Sequence, residues 1–221
     1  LRGHLELELD RYLPYEGDGI YWDFYLPQSN HHNLGSTMTV YLVAAKRVVV
    51  DHRVQLVTQV GLVPVVVDLD SLALANMHMV NYKDSRDSSD LIVNVGPSGF
   101  SMITVGSSTE FYQHDAMFGS EHQLEVSQGE MSREVACEIQ KAVEDRRSSD
   151  LKDSISRVLV SGGYACYPGF VESLSSQVPI PVEVVNPFKG LIISKEVLAE
   201  DLEEETSILS GVAVGLALRS G

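Results

Sequence analysis

The sequence predicts an α/β protein built from mixed sheets with flanking helices. Segments with helical periodicity alternate along the 221 residues with short apolar segments typical of strands, which is the pattern of α/β chains. Residues 62–69 form an almost continuous β-branched run, typical of a strand buried on both faces. Apolar residues make up 44% of the chain and charged residues 21%, so a packed globular fold is expected rather than disorder.

Charge and cysteine content exclude several classes of function. With 16 basic and 31 acidic residues the net charge is −15, so nucleic acids and anionic lipid surfaces would be repelled. Two cysteines, Cys137 and Cys166, are too few for a disulfide framework, and we expect buried free thiols in a reducing compartment. No apolar run reaches the ~20 residues of a membrane span, so no direct membrane insertion is expected.

The first part of the chain is expected to form an α+β subdomain and a returning strand and helix. Its predicted elements are the helices 1–13, 46–60 and 71–80 and the strands 20–26, 37–45 and 62–69. Pro14 ends the first helix, Gly61 ends the second, and Asp70 is expected to cap the third. Because Leu1 lies inside a predicted helix, the pattern indicates a fragment whose N-terminal part is missing.

A hydrophilic joint over residues 81–90 precedes the second part. Its predicted elements are the strands 91–95, 101–105 and 110–114, the helix 131–147, the strand 155–160, the helix 170–177, the strand 181–185 and the helix 208–219. Tight turns join the first three strands into a meander. The sequence therefore predicts three parts, with boundaries at residues 62 and 90.

Two glycine-rich turns form the candidate binding site. The first follows a strand and gathers backbone N–H groups, which suits an anion such as phosphate. The second also follows a strand, and its adjacent glycines would let a ligand lie directly against the backbone. The candidate nucleotide-binding residues are Asn94, Gly96, Pro97, Ser98, Gly99, Ser161, Gly162, Gly163 and Tyr164. A plain hairpin turn and a tight strand-to-helix turn are the structural alternatives.

The remaining constellations predict no catalytic residue and no metal ligand. The sequence has no nucleophile elbow and no Cys/His spacing suited to zinc. His31 and His32 lie in a polar loop, and His114 is expected at the surface. Aromatic residues alternate along the strand 20–26, so one of its faces is expected in the core.

Several stretches of the sequence carry a resemblance to a known family. They are residues 7–15 with Asp23 and Phe24; residues 40–46, 61–64 and 68–75; Gly96, Ser98, Phe111, His114 and Asp115; and residues 161–163, 168–169, 186–188 and 215–219. On these stretches the chain resembles the PilM family of type IV pilus assembly proteins, which is actin-like and related to FtsA. Asn94 departs from the family pattern, which has Asp there, and an amide cannot supply that charge to a metal–phosphate group.

The resemblance implies an actin-like, ribonuclease H-like fold with an inserted α+β subdomain. Residues 1–62 would be the inserted subdomain, incomplete at its N-terminus. Residues 63–90 would return to the first actin-like lobe and form the joint, and residues 91–221 would be the second lobe with a reduced lid subdomain. The two glycine-rich turns would face one nucleotide cleft.

The resemblance also implies a function in protein recognition. The chain would be a cytoplasmic scaffold at the inner face of the inner membrane, binding the cytoplasmic N-terminal peptide of a PilN-like membrane protein. That peptide would lie between the inserted subdomain and the following body, near the helix 48–60 and the strand 63–69. ATP or ADP with Mg²⁺ is the implied cofactor, with ATP binding favoured over hydrolysis, and oligomerisation is possible. The alternatives are an active actin-like ATPase or kinase-type enzyme and an FtsA-like cell-division membrane tether.

Overall fold

Helices and strands alternate in the computed structural model, as the sequence predicts. The structure describes residues 1–13, 19–26, 38–82, 88–106, 112–118, 128–148, 154–194 and 204–219. The chain separates into two units, unit 1 (Leu1–Val67) and unit 2 (Asp68–Gly221). The three-part division inferred from the sequence stays a prediction. The loop that contains His31 and His32 lies outside the described residues.

Unit 1 contains a two-stranded antiparallel sheet and two helices. Its elements are α1 (Arg2–Tyr12), β1 (Ile20–Tyr25), β2 (Tyr41–Lys46) and α2 (Arg47–Gln59). The predicted alternation along β1 is confirmed, since Ile20 is buried while Tyr21 and Tyr25 are exposed. The Arg2 guanidinium lies 5.1 Å from the ring centroid of Trp22, and this contact joins α1 to β1.

Residues 62–69 form no strand, so the prediction of a buried strand is wrong. Gly61 ends α2 with φ of +83°, as predicted. The next residues are largely exposed, Val63 by 83% and Val65 by 88%. A β-branched run becomes a buried strand only where neighbouring strands pair with its backbone. Among the described residues, no strand pairs with this segment.

Unit 2 is built on a five-stranded mixed sheet. Its elements are α3 (Asp70–Asn81), β3 (Ser88–Gly96), β4 (Gly99–Gly106), β5 (Gln113–Met117), α4 (Gln128–Ser148), β6 (Ser154–Ser161), a 3-10 turn (Gly163–Cys166), α5 (Phe170–Ser175), β7 (Val182–Val184), α6 (Glu204–Leu209) and α7 (Gly211–Ala217). The strand order is β5-β4-β3-β6-β7. The pairs β3–β6 and β6–β7 are parallel, and β3–β4 and β4–β5 are antiparallel.

The sheet of unit 2 is covered on both faces. On one face, Leu91 and Val93 of β3 pack with Val135 and Ile139 of α4. On the other face, Ile92 of β3 joins the cluster formed by residues of α3 and α7. Strands covered on both faces lose their polar alternation, which explains the continuous apolar runs in β3 and β6.

Four local predictions in unit 2 are wrong. Leu69, not Asp70, is the N-cap of α3, because Asp70 already has helical geometry. The predicted helix 208–219 is two helices that meet at Ser210. Cys137 is exposed and Cys166 is half-buried. Helix α4 buries the face that the sequence predicts, and Cys137 lies outside that face. The predicted joint 81–90 is narrower, since β3 already begins at Ser88.

A buried ionic cluster fixes the amino ends of β3 and β6. The Nε2 atom of His78, a residue only 1% exposed, donates to Oδ2 of Asp90 at 2.8 Å. Arg157 of β6 donates to the same oxygen from Nη2 at 2.5 Å. Burial raises the pKa of the Asp90 carboxyl, but the hydrogen bonds from His78 and Arg157 outweigh it and leave that pKa below its ordinary value.

We expect Asp90→Asn to lower the free energy of unfolding at pH 7 by about 2–4 kcal/mol, because Arg157 and His78 lose their buried anion. Because the pKa of Asp90 is lowered in the folded state, its contribution is present above its ordinary pKa and is lost as the pH falls through the lowered value. The difference from the wild-type chain should therefore narrow below about pH 4. Urea unfolding at several pH values measures both effects.

Glu183→Gln is the matched control. It removes the half-exposed second partner of Arg157, whose Nη1 lies 3.2 Å from the Glu183 carboxylate. An exposed pair of this kind contributes less than about 1 kcal/mol. Equal losses in both variants would contradict the role assigned to Asp90.

Candidate functional site

The two glycine-rich turns lie at the same edge of the sheet of unit 2. Because β3 and β6 run parallel, their carboxyl ends meet there, and Asn94 is the register partner of Ser161. The first turn is the β3–β4 hairpin, in which Gly96 pairs with Gly99 around Pro97 and Ser98. The second turn begins directly after β6. The fold therefore brings together residues that are about 65 positions apart in the sequence.

Gly162 is required by the packing between the two turns. Its φ is +88°, a conformation that L side chains rarely adopt. A Cβ at this position would lie 2.5 Å from the carbonyl oxygen of Val95 and 2.6 Å from Oδ1 of Asn94. Gly163 differs, because a Cβ built there would have no atom within 4 Å. The second turn thus contains one glycine needed for packing and one whose backbone faces open space.

The first turn also contains one glycine needed for packing and one that leaves free space. A Cβ on Gly99 would clash with the backbone of Ala116 in β5, so this glycine serves the β4–β5 contact. A Cβ on Gly96 would meet only the carbonyl oxygen of Gly99 at 3.7 Å, which is an ordinary contact. Gly96 and Gly163 are therefore the two positions at which the backbone leaves room for a ligand.

Other predicted site residues have structural contacts. Ser161 is buried, and its hydroxyl points toward Gly211 of α7. The ring of Tyr164 stacks on Tyr167 with centroids 5.0 Å apart and also contacts Phe170 of α5. The side chains of Ser161 and Tyr164 thus hold the turn against the body of unit 2.

Sequence reasoning overlooked Tyr167. This residue is 51% exposed, and its ring stacks on Tyr164 of the second turn. The sequence could have indicated it, because Tyr167 is an aromatic residue only three positions after Tyr164. The stacked pair gives this edge of the sheet an aromatic surface next to the open backbone of Gly163.

The chemistry of the two turns suits an anion. Residues 94–99 and 161–164 include no charged side chain, and they present backbone groups and neutral polar atoms. Within the described parts of the chain, no group of three or more His, Cys, Asp or Glu residues could hold a metal ion. An arrangement of this kind is suited to a phosphate group, and the two turns contain no carboxylate, histidine, lysine or cysteine side chain.

Comparison with known proteins identifies the family. The family described as "Type IV pilus assembly protein PilM" matches residues 1–128 and 129–221. The chain belongs to the PilM family. A solved structure described as a PilM-PilN type IV pilus biogenesis complex superposes with a TM-score of 0.75 at 18% identity, covering 99% of this PilM-family chain and 71% of that one. This superposition confirms the predicted actin-like fold class.

More distant structures also match. The ethanolamine utilization protein EutJ from Carboxydothermus hydrogenoformans has a TM-score of 0.47 at 15% identity, over 75% of this chain and 59% of its own. A Bacteroides thetaiotaomicron protein of actin-like ATPase fold and unknown function has a TM-score of 0.47 at 8% identity, covering 83% of this chain and 61% of that one.

No curated protein matches the chain. None of the described helices is both long and apolar enough to cross a bilayer.

We expect Gly162→Ala to destabilise the PilM-family chain by about 2–4 kcal/mol, because it combines a disfavoured φ with a clash against the backbone of β3. Gly163→Ala is the matched control and should change stability by less than about 1 kcal/mol, since space is open there. Urea unfolding of both variants tests the assignment. Similar losses of stability in the two variants would contradict the different roles assigned to Gly162 and Gly163.

Proposed function

We propose that this chain is a scaffold of the type IV pilus inner-membrane platform and binds the cytoplasmic N-terminal peptide of a PilN-like membrane protein. The observation that carries the proposal is the PilM family match, which extends over residues 1–221 in two segments. A solved structure of the same fold is a complex of PilM with PilN. On this proposal the protein acts in the cytoplasm, at the inner face of the inner membrane.

Unit 1 carries an exposed apolar surface that suits such a partner. None of the residues of α2 is buried. The exposed apolar residues on α2 and directly after it, here called the α2 patch, are Val48, Val49, Leu56, Val57 and Val60. Exposed apolar surface of this kind marks interaction sites in proteins. The α2 patch and the exposed segment 63–67 belong to the elements that we expected to contact the peptide, and both lie in unit 1.

The distribution of charge suits a basic peptide. Unit 2 contains 24 of the 31 acidic residues and only 11 of the 16 basic residues, whereas unit 1 is close to balanced. A field of this sign attracts Lys and Arg side chains and accelerates association, with an effect that salt weakens. We therefore propose that apolar contacts at the α2 patch supply most of the affinity and that unit 2 supplies long-range attraction.

We expect the double substitution of Val49→Lys and Leu56→Lys to weaken peptide binding by about tenfold or more, because two apolar contacts are lost and two positive charges are added. Fluorescence anisotropy of a labelled PilN-like N-terminal peptide measures the Kd. Raising the salt concentration should also slow association with the wild-type chain.

Ile192→Lys is the control for the positive charge that each substitution adds. Ile192 is a fully exposed apolar residue that lies in unit 2, outside the α2 patch. This variant should bind the peptide within about twofold of the wild-type chain. Wild-type affinity in the double variant would exclude the α2 patch. No binding of the peptide to the wild-type chain would contradict the scaffold proposal.

The two open glycines favour a second activity, nucleotide binding. Gly96 and Gly163 leave backbone accessible at the same sheet edge, and the exposed Tyr167 stacks on Tyr164 of the second turn. We propose that ADP or ATP binds here with its phosphates against the turns. Because the turns present no acid or base, the proposal is binding without an intrinsic ATPase cycle.

ADP at a hundred times its Kd should stabilise the wild-type chain by about 2.7 kcal/mol, or about 5–10 °C in the unfolding midpoint. Gly163→Val should remove most of this shift, since its side chain would occupy the open space. Gly19→Val is the control, because Gly19 also has no neighbour within 4 Å but lies in unit 1. A full shift in Gly163→Val would contradict this location of the site.

A further inference from the structure

The candidate site fits a phosphate group but does not fit Mg²⁺. Magnesium sites in proteins use oxygen ligands and usually include one or two carboxylates. The residues of both turns include no carboxylate. At the end of β3 the side chain next to the turn after β6 is the neutral amide of Asn94, whose Oδ1 lies against Gly162. The donor set is therefore suited to an anion alone.

We propose that nucleotide binds at these turns as a metal-free anion, and that Asn94 is the residue that makes binding independent of Mg²⁺. This inference rests on the nucleotide binding proposed above. A carboxylate at residue 94 would repel the phosphates unless a divalent cation stood between them. The amide removes that repulsion, so no bridging cation is needed.

The net charge of unit 2 sets a preference among nucleotides. With 24 acidic and 11 basic residues, unit 2 repels polyanions at long range. Without a metal ion to offset the phosphate charge, each added phosphate increases this repulsion. ADP should therefore bind more tightly than ATP in the absence of Mg²⁺.

One exposed carboxylate on the same face of the sheet could recruit a metal ion instead. Asp70 begins α3, and Leu74 of α3 packs in the same cluster as Ile92, whose side chain points to the same face as that of Asn94. Asp70 is exposed and does not cap the helix. Asp70→Asn is therefore the variant that separates metal binding at this position from the metal-free site.

Isothermal titration with ADP, in EDTA and in Mg²⁺, tests the proposal on the full chain. The wild-type chain should bind ADP no more tightly in Mg²⁺ than in EDTA, and ATP in EDTA should bind more weakly than ADP. Asn94→Asp should bind ADP at least about tenfold more weakly than the wild-type chain in EDTA and should recover when Mg²⁺ is added. Asn94→Ser, which stays neutral, should remain independent of Mg²⁺, and urea unfolding reports whether each variant is folded.

Several outcomes would overturn the proposal. Wild-type binding that is at least about tenfold tighter in Mg²⁺ would do so, and loss of that dependence in Asp70→Asn would assign the metal to Asp70 while leaving nucleotide binding intact. Equal behaviour of Asn94→Asp and the wild-type chain in both conditions would also overturn it. If ADP binds in neither condition, this inference and the nucleotide proposal both fail, whereas peptide binding, measured separately, still decides the scaffold proposal.

Discussion

The parallel pairing of β3 with β6 is the contact on which the rest of unit 2 depends. At the amino ends of the two strands, Asp90 of β3 receives hydrogen bonds from His78 of α3 and Arg157 of β6. At their carboxyl ends, only a glycine at residue 162 lets the chain turn against the backbone of Val95. Between these ends the strands are buried on both faces, so a shift of register would misplace the ionic cluster, the apolar core and the turns together.

This pairing also explains where the candidate site lies. Parallel strands end at the same edge, and ligands of open α/β sheets commonly bind outside the carboxyl ends of the strands. In this chain the glycines at that edge have separate tasks: Gly99 and Gly162 allow close backbone packing, while Gly96 and Gly163 leave space. The proposed phosphate site and the packing around it would thus use neighbouring residues, so the number of glycines alone says little about binding.

The two units present surfaces of different chemistry. In unit 1, α2 has the period of an amphipathic helix but buries none of its residues, so the apolar side chains that would normally pack inside a protein are available to a partner. Unit 2 has an ordinary two-sided core and carries most of the acidic residues. On the proposed function, the exposed apolar residues of unit 1 and the acidic residues of unit 2 would serve protein recognition.

The local signals in the sequence determined much of the secondary structure. Gly61 marks the end of α2, residues 96–99 form the predicted hairpin, and Val135 and Ile139 lie on the predicted buried face of α4. Such features depend on backbone preferences and periodicity over a few residues, so they can be inferred without knowing what lies across the fold.

Tertiary structure alone decided which elements find partners. Residues 62–69 have the composition of a buried strand, yet among the described residues they have no neighbouring strand and stay largely exposed. Likewise, the Gly-Gly sequence does not reveal that Gly162 packs closely against β3 while Gly163 faces open space. Burial and close approach are set by residues distant in the chain, and a sequence pattern records what a segment prefers but not what packs against it.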